Sequence, residues 1–419
     1  MEKTKTLTLR RNFSWTFIGN AVYAACQWGM LVVLAKLGSP EMVGQFTLGL
    51  AVTAPIVMFT NLHLDVVQAT DATKQYTFGD YLGLRLIGTT IALVAIAIVT
   101  LLAGYSLQTS LVILLIALAK ACESISDIFH ALIQQHERMD RIAVSLMIKG
   151  PLSLLLLGLG VYLSGNIVWG VTGLVLAWAA ILVAWDIRNG ALMLNHMPQP
   201  RWHLKTLKKL VWLSLPLGFV MMLISLNANI PRYFIKQYLG ERELGIFAAI
   251  AYLIVAGNMV VRALGESATP RLAKYYASGN SKAFRNLMIK LVAIAALLGC
   301  AGVLVAVVAG DRILIVIYGY EYAEQTNLFI WLMIAAGFTY ISSFLGYGIT
   351  AARYFRIQMP LFAAVATTSA LACLWLLPKL GLLGAAIALI MSAIIQAGII
   401  LGVVIYAINK LESYAVKQE

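Results

Sequence analysis

Long apolar stretches, separated by short polar breaks, dominate the pattern of this 419-residue chain. A helix that crosses the hydrocarbon core of a bilayer needs about 20 apolar residues, and each stretch is about that long. Strands of an outer-membrane barrel would alternate apolar and polar residues instead. The pattern therefore predicts an all-α integral membrane protein of about 12 transmembrane helices, near residues 13–36, 42–64, 81–104, 109–132, 142–163, 167–187, 210–235, 243–264, 287–309, 326–350, 357–377 and 382–408.

The polar breaks are mostly short, which makes consecutive helices antiparallel neighbours. The three longest lie at 188–209, 265–286 and 310–325. Within the second, residues 268–285 carry four cations, and we expect this segment to lie along the cytoplasmic surface on anionic lipid. The apolar run from Trp15 to Leu34 is long for a signal peptide, so we expect a retained first span.

Composition supports a membrane class, because 61% of the residues are hydrophobic and 12% are charged. Soluble domains carry about a quarter charged residues, so a water-soluble enzyme with one anchor is excluded. A net charge of +13 would indicate nucleic acid in a soluble protein. Here it indicates basic loops, and a smaller part of the positive charge is available to bind an anionic substrate. The four cysteines lie in apolar runs without metal-ligand spacing, and we interpret them as packing residues.

Lysine and arginine are concentrated in alternate loops, and cytoplasmic loops carry the excess of these residues. One side has Lys3, Lys5, Arg10, Arg11, Lys74, Arg138, Arg141, Arg188, Arg201, Lys205, Lys208, Lys209, Arg271, Lys274, Lys282, Arg285, Arg353, Arg356, Lys410 and Lys417. The other side has Lys36, Lys236, Arg242, Arg312 and Lys379. This asymmetry predicts that both termini are cytoplasmic.

An internal repeat relates the two halves of the chain. Residues 37–46 read LGSPEMVGQF and residues 239–247 read LGERELGIF. Spacing, predicted topology and charge agree, which favours a duplication of six helices, with the substrate site expected between the halves, as in many transporters. We therefore expect a six-helix bundle at 1–190, a cytoplasmic basic linker at 191–209 and a second six-helix bundle at 210–419.

Several segments carry a resemblance to a known family. Four segments show it: the basic N-terminus with Asn12 and Trp15, the first break at Leu37-Gly38 followed by Gly44-Gln45-Phe46, residues 227–240 (NANIPRYFIKQYLG) and residues 268–276 (ATPRLAKYY). The chain resembles the polysaccharide-repeat-unit (Wzx-like) flippases of the multidrug/oligosaccharidyl-lipid/polysaccharide exporter superfamily. It departs from them before Arg232, where an acid is common in the family and Asn229 and Pro231 stand here.

The resemblance implies a V-shaped pair of six-helix bundles that works by alternating access in the bacterial plasma (inner) membrane. The implied substrate is an undecaprenyl-pyrophosphate-linked oligosaccharide for O-antigen, capsule or exopolysaccharide synthesis. The expected partners are this substrate, membrane lipids, a coupling cation (proton or sodium) and a polymerase, without nucleic acid. No cofactor and no metal are expected.

Charged residues inside spans cost several kcal/mol unless they face a cavity or a partner, so each is a candidate site residue. The candidate ligands for the substrate pyrophosphate are the cations Arg232, Lys120, Lys149 and Arg85. Snorkelling explains Arg85 equally well. These cations outnumber the two acids within the same spans, Glu123 and Asp127, which favours an anionic substrate.

Helical spacing groups the polar residues into stripes. In the fourth span Lys120, Glu123, Asp127 and His130 share one face, where Lys120 can also pair with an acid of its own helix. The candidate sugar contacts are four neutral side chains of the first and seventh spans, Asn20, Tyr23, Gln27 and Asn229. Side chains of this kind also form hydrogen bonds between helices.

Four carboxylates are candidates for ion coupling or gating: Asp127, Glu123, Asp65 and Glu266. Asp65 and Glu266 end spans that correspond in the repeat. Each is interpreted either as an interfacial carboxylate near water or as a gate that pairs with Arg85 or a loop arginine in one state. We expect coupling through Asp127, which lies nearer the cytoplasmic side.

Two alternatives to a flippase stay open. A cation-coupled multidrug antiporter of the same superfamily would hold a buried acid in an apolar cavity and need few inward cations. A polysaccharide polymerase or ligase would act through a large periplasmic loop, for which only residues 310–325 are available. The chain has no Gly-rich phosphate loop ending in Gly-Lys-Ser/Thr, and we expect no enzymatic activity.

Overall fold

A computed structural model describes residues 8–71, 73–354 and 357–416, and these residues form helices and no strand. The cations Lys3, Lys5, Arg356 and Lys417 lie outside the described residues. The helices are α1 (Leu9–Leu37), α2 (Pro40–Asn61), α3 (Leu64–Ala69), α4 (Phe78–Leu102), α5 (Leu107–Gln135), α6 (Met139–Ser164), α7 (Ile167–Ile181), α8 (Ile187–Leu194), α9 (Leu204–Leu239), α10 (Glu241–Tyr252), α11 (Ile254–Ala277), α12 (Ser281–Ile317), α13 (Tyr320–Ala323), α14 (Thr326–Ala351), α15 (Gln358–Leu380) and α16 (Leu382–Val416). A π-helical turn, Leu182–Asp186, joins α7 to α8.

Eleven helical stretches of the described residues are long and apolar enough to cross a membrane. They match eleven of the twelve predicted spans. The remaining span, 109–132, is α5, a 29-residue helix that carries Lys120, Glu123 and Asp127. Apolar side chains at the ends of these stretches are strongly exposed, such as Leu102 at 82% and Leu163 at 78%. The protein is an all-α, multi-pass membrane protein.

Two of the long polar stretches are mostly helical. Within 265–286, α11 continues to Ala277 and α12 begins at Ser281. Residues 268–285 thus extend two long helices, and their position on anionic lipid stays a prediction. Within 310–325, α12 continues to Ile317. Lysine, arginine, glutamate and alanine favour helix, so a helix retains its backbone hydrogen bonds where it leaves the apolar layer.

The two hairpins of the internal repeat both join two helices through a short turn. α1 ends at Leu37 and α2 begins at Pro40, while α9 ends at Leu239 and α10 begins at Glu241. Phe46 and Phe247, each six residues after the first residue of its helix, are both buried. Gly240 lies between α9 and α10 at a φ of 97°, a conformation that glycine adopts without a steric penalty. The repeat therefore reflects a shared helix-turn-helix packing.

The chain divides into two compact units, and the division falls between Leu226 and Asn227, inside α9. In the first unit α1 packs on α6, α6 packs on α7, and α5 packs against α2, α4 and α7. The first turns of α9 also belong there, because Leu207 and Leu210 share a core with Leu62, Leu64 and Tyr81. In the second unit α14 packs against α11, α12 and α16.

Close contact between α1 and α6 depends on small residues. A Cβ on Gly19 would lie 2.7 Å from the Cα of Ala143, and a Cβ on Gly150 would lie 3.1 Å from the Cβ of Cys26. Helices in membranes approach through such positions, because van der Waals packing drives their association there. This contact leaves Tyr23 of α1 within hydrogen-bonding distance of Glu123 on α5.

Candidate functional site

The first unit contains a charged cluster, to which α3, α4, α5, α6 and the π-helical turn contribute. Its accessible part is formed by residues of α1 and α5. The Tyr23 hydroxyl donates to Oε1 of Glu123 at 3.0 Å, and Nζ of Lys120 donates to Oε2 of the same carboxylate at 2.6 Å. The Lys120 and Glu123 side chains are each about a quarter exposed, at 25% and 24%. A polar ligand can therefore reach this ion pair without unfolding a helix.

Trp178 of α7 lies between the two lysines of the cluster. Nζ of Lys120 is 5.2 Å from the centroid of the indole ring, and Nζ of Lys149 is 5.7 Å from it. The indole nitrogen donates to the hydroxyl of Ser153 at 2.8 Å, which fixes the ring. Cation–π contacts that are shielded from water stabilise a cation by about 2 kcal/mol. The tryptophan thus stabilises two positive charges that lie on different helices, one partly exposed and one buried.

Lys149 is 2% exposed and Trp178 is also 2% exposed, so this ammonium group lies beneath the accessible ion pair. It interacts electrostatically with the carboxylates of Glu123 and Asp186. A buried lysine with such neighbours neutralises carboxylates of the protein, and this role competes with binding of an external anion.

Asp186, at the end of the π-helical turn, is fully buried and accepts three hydrogen bonds. The donors are the hydroxyls of Ser126 and Ser145, each at 2.7 Å, and Nε2 of His130, at 3.1 Å. This carboxylate therefore ties α5, α6 and the π-helical turn together. Sequence reasoning missed it, although a carboxylate inside the span at 167–187 was itself a signal. The π-helical turn is a second signal that only the structure provides.

Arg85 of α4 is 1% exposed, and its Nε and Nη1 have no hydrogen-bond partner among the described residues. Its guanidinium interacts electrostatically with Asp127 and Asp65. Snorkelling, the alternative reading from sequence, places a charged group in water and does not fit a fully buried side chain. Arg85 is thus an internal counter-ion for two carboxylates.

Asp65 and Asp127 surround this arginine from different helices. Asp65 of α3 lies 3.3 Å from Nδ1 of His63 and keeps 41% of its side chain exposed. Leu62 and His63 both adopt a φ of 52°, which separates α3 from α2 and directs the chain towards Arg85. Asp127 of α5 interacts with Arg85 and also with the like-charged Glu123.

The charge balance of the cluster differs from the balance expected from sequence. With His130 neutral, three cations face four carboxylates, a formal charge of −1. The members are Arg85, Lys120, Lys149, Asp65, Glu123, Asp127 and Asp186. The sequence-based count, in which cations outnumbered acids, omitted Asp65 and Asp186, and it does not hold within this cluster.

The candidates of the second unit are arranged differently. Nη1 of Arg232 donates to Oδ1 of Asn229 at 2.9 Å, and Asn229 is 5% exposed. The other electrostatic neighbours of this guanidinium are Tyr233 and Tyr252. Lys236, one turn later on α9, forms an ion pair with Glu241 at 2.9 Å. Arg232 therefore interacts with neutral groups, whereas the lysine of the same stripe has an acidic partner.

Two predicted site residues lie outside both arrangements. Asn20 is exposed and donates to the backbone carbonyl of Thr16 on its own helix. Glu266 lies in the middle of α11 and pairs with Arg262 at 2.8 Å, with both side chains more than half exposed. Gln27, by contrast, lies next to Tyr23 and belongs to the cluster of the first unit.

Helical spans, a break repeated in both halves and a charged cluster inside the spans define a class, the multi-pass membrane proteins. Solved structures of this class have the same fold. A multidrug resistance MATE transporter of the MOP superfamily in an inward-facing conformation matches with a TM-score of 0.74 at 12% identity, over 95% of this chain and 99% of its own. The lipid II flippase MurJ in an inward closed conformation matches with a TM-score of 0.73 at 12% identity, over 94% of this chain and 89% of its own.

Sequence comparison identifies the family. Residues 9–276 match the model of the family described as polysaccharide biosynthesis protein. The capsular polysaccharide biosynthesis protein CapF of Staphylococcus aureus is 29% identical over 385 residues, which cover 91% of this chain and 96% of that protein. The chain belongs to the polysaccharide biosynthesis protein family of membrane proteins, and the Wzx-like resemblance found in the sequence is confirmed.

Proposed function

We propose that the protein moves undecaprenyl-pyrophosphate-linked oligosaccharide repeat units across the plasma membrane for surface polysaccharide synthesis. Membership of a polysaccharide biosynthesis family supports this proposal, and so does the fold shared with a lipid II flippase. We further propose that the two six-helix halves, at 1–190 and 210–419, work by alternating access with both termini in the cytoplasm. The protein acts by transport and not by catalysis.

The observation that carries the proposal is a cation within a span that has no acidic partner among the described residues. The interactions of Arg232 in the described residues involve Asn229 and two tyrosines. A pyrophosphate diester carries about two negative charges, and an arginine can hold it through two parallel hydrogen bonds. We propose Arg232 as the main pyrophosphate ligand and Asn229 as the side chain that orients it.

The accessible edge of the first unit has the chemistry of a sugar site. Tyr23, Gln27, Lys120 and Glu123 offer hydroxyl, amide and charged groups next to one another. We propose that Tyr23 and Gln27 contact the oligosaccharide and that Lys120 assists the pyrophosphate. We propose that Lys149 and Arg85, which are fully buried among carboxylates, hold this network together.

The decisive experiment measures lipid-linked repeat units on each face of the membrane in the native host. Deletion of the gene should cause them to accumulate on the cytoplasmic face. Arg232→Gln should reproduce that accumulation at normal protein levels, and Arg232→Lys should restore part of the transport. Lys236→Gln is the matched control, because it removes a cation one turn away that is already paired. Loss of repeat-unit synthesis in the deletion strain would indicate an enzyme instead.

Ion coupling forms a separate part of the proposal. We propose that Asp127 takes up a proton or a sodium ion, because it adjoins two other carboxylates, Glu123 and Asp65, and shares Arg85 with the latter. Asp127→Asn should bind substrate normally while its transport no longer depends on the ion gradient. Transport by Asp127→Asn that still stops when the gradient collapses would contradict this assignment.

A cation-coupled multidrug antiporter is the second candidate. The excess of one carboxylate in the charged cluster and the MATE-like fold favour it. Measuring the sensitivity of a deletion strain to cationic dyes, together with its surface polysaccharide, distinguishes the two functions. Increased dye sensitivity with normal surface polysaccharide would favour the antiporter. A polymerase or ligase fits less well, because α12 extends to Ile317 and leaves only residues 318–325 before α14, part of them in the short helix α13.

A further inference from the structure

A basic pocket of about 490 Å³ lies at one end of the first unit, where α6 begins and the π-helical turn continues into α8. None of the residues proposed above for transport lines it. Three arginines combine there with apolar and aromatic side chains. The residues that matter are Arg138, Arg141, Arg188, Asp140, Trp185 and Leu192.

The three arginines differ in how far they are neutralised. Arg138 donates to both oxygens of Asp140, from Nε at 2.9 Å and from Nη2 at 2.8 Å. Nη1 of Arg141 donates to the neutral Oδ1 of Asn189 at 2.6 Å. Arg188 is exposed and forms no hydrogen bond or ion pair within the described part of the chain. One carboxylate thus faces three guanidinium groups, and two of these keep an uncompensated charge.

The aromatic side of the pocket is fixed in place. The indole nitrogen of Trp185 donates to the backbone carbonyl of Arg141 at 3.1 Å, which holds the half-buried ring between α6 and α8. Leu192, about one turn after Arg188, and Val183, in the π-helical turn beside the pocket-lining residue Ala184, are 58% and 66% exposed. Tryptophan and arginine next to exposed apolar residues are typical of the level at which lipid headgroups meet acyl chains.

We propose that this pocket binds the phosphate headgroup of an anionic phospholipid. Arg188 and Arg141 would hold the phosphate oxygens, and the acyl chains would lie along Leu192 and Val183. Basic pockets between transmembrane helices bind such headgroups in this way. The adjoining apolar surface favours a lipid over a soluble phosphate, because a soluble anion would gain nothing from it.

Native mass spectrometry of the purified full chain tests the proposal. The protein is titrated with phosphatidylglycerol or with zwitterionic phosphatidylcholine, and the retained lipid is counted. Wild type should retain phosphatidylglycerol preferentially. Arg188→Gln should weaken that retention about tenfold, as expected for a lost charged hydrogen bond. Arg285→Gln is the matched control, because it removes an exposed cation at the basic end of α12, outside the pocket, and should retain the lipid as wild type does.

A second variant should act in the opposite direction. Asp140→Asn removes the only carboxylate that lines the pocket and releases Arg138, so retention of phosphatidylglycerol should increase. A purely structural pair would not produce this gain. Equal retention of both lipids, or unchanged retention in Arg188→Gln, would overturn the proposal. Displacement of the lipid by glycerol 3-phosphate would show that the pocket binds a soluble phosphate and not a lipid, and would overturn the proposal.

Discussion

The two units of the molecule treat charge inside their spans in different ways. In the first unit seven charged groups from five helical elements interact electrostatically and nearly cancel. In the second unit Arg232 has a neutral amide as its hydrogen-bond partner, while Lys236 and Arg262 have carboxylate partners near the helix ends or on the surface. Removal of one member of a balanced network leaves the opposite charge buried without a partner. Removal of a single cation that has only neutral partners leaves no such unpaired charge.

This difference changes how the same substitution should act in each unit. A buried charge that loses its partner lowers the free energy of unfolding by about 3–5 kcal/mol. A substitution in the first unit therefore changes stability and transport together. Arg232 offers a cleaner functional test, because its removal disturbs one hydrogen bond. The predictions below follow that contrast, and they begin with the largest expected effect.

Asp186→Ala should destabilise the protein by about 3–5 kcal/mol, because it leaves Lys149 and His130 without their shared carboxylate and removes the acceptor of two hydroxyls. Thermal unfolding in detergent, followed by tryptophan fluorescence, measures this effect. Asp311→Ala serves as the control, because Asp311 is exposed on α12. A small loss of stability, similar to that of the control, would mean that Asp186 does not hold the network together.

Lys120→Met and Glu123→Gln should each destabilise the protein, and the double variant should recover much of that stability. The physical reason is that one leftover charge costs more than none. The coupling free energy of the two side chains should be about 1 kcal/mol, given their partial exposure. A double-variant cycle with thermal stability as the readout tests this, and transport should stay impaired in the double variant because it lacks Lys120. Additive losses of stability would show that the two side chains do not act as a pair.

Arg232→Gln should lower the free energy of unfolding by only about 1 kcal/mol, the contribution of one hydrogen bond, while it abolishes transport. Comparison with Asp186→Ala under the same unfolding conditions sharpens the contrast between the two units. Destabilisation of Arg232→Gln as large as that of Asp186→Ala would show that the arginine belongs to an ionic network of its own.

The smallest expected effect concerns Asp71, in the loop between α3 and α4. Burial raises the pKa of this carboxyl, but hydrogen bonds from the backbone of Gln75 and Tyr76 and from the Tyr81 hydroxyl outweigh it and lower the pKa below its ordinary value. A lowered folded-state pKa stabilises the fold above the unfolded value of about 3.9 and loses this contribution as the pH falls through the folded value.

Asp71→Asn should therefore flatten the decline in Tm that wild type shows as the pH falls below about 4. At pH 7 the variant should be slightly less stable than wild type, because it lacks the charged acceptor. Thermal unfolding of both proteins between neutral and acidic pH measures the difference. Parallel Tm curves would show that this loop carboxylate does not contribute to the acid sensitivity.

The amino-acid sequence by itself determined the membrane class, the number of long helices and the polar stripe of α5. These features depend on local rules, namely the length of apolar stretches and the 3.6-residue period of a helix. The repeated breaks at Gly38 and Gly240 were visible for the same reason. The intrahelical ion pair between Lys120 and Glu123 was also predictable, because residues three apart are neighbours on a helix.

Only the tertiary structure decided which side chains meet across helices. Asp186 lies 41 residues from Ser145 and 60 from Ser126, and Trp178 joins two lysines of different helices. Such contacts depend on where small residues such as Gly19 and Gly150 allow helices to approach, and on how a π-helical turn rotates the side chains after it. A pattern along one chain shows which residues share a face, but the packing of several helices determines which faces meet.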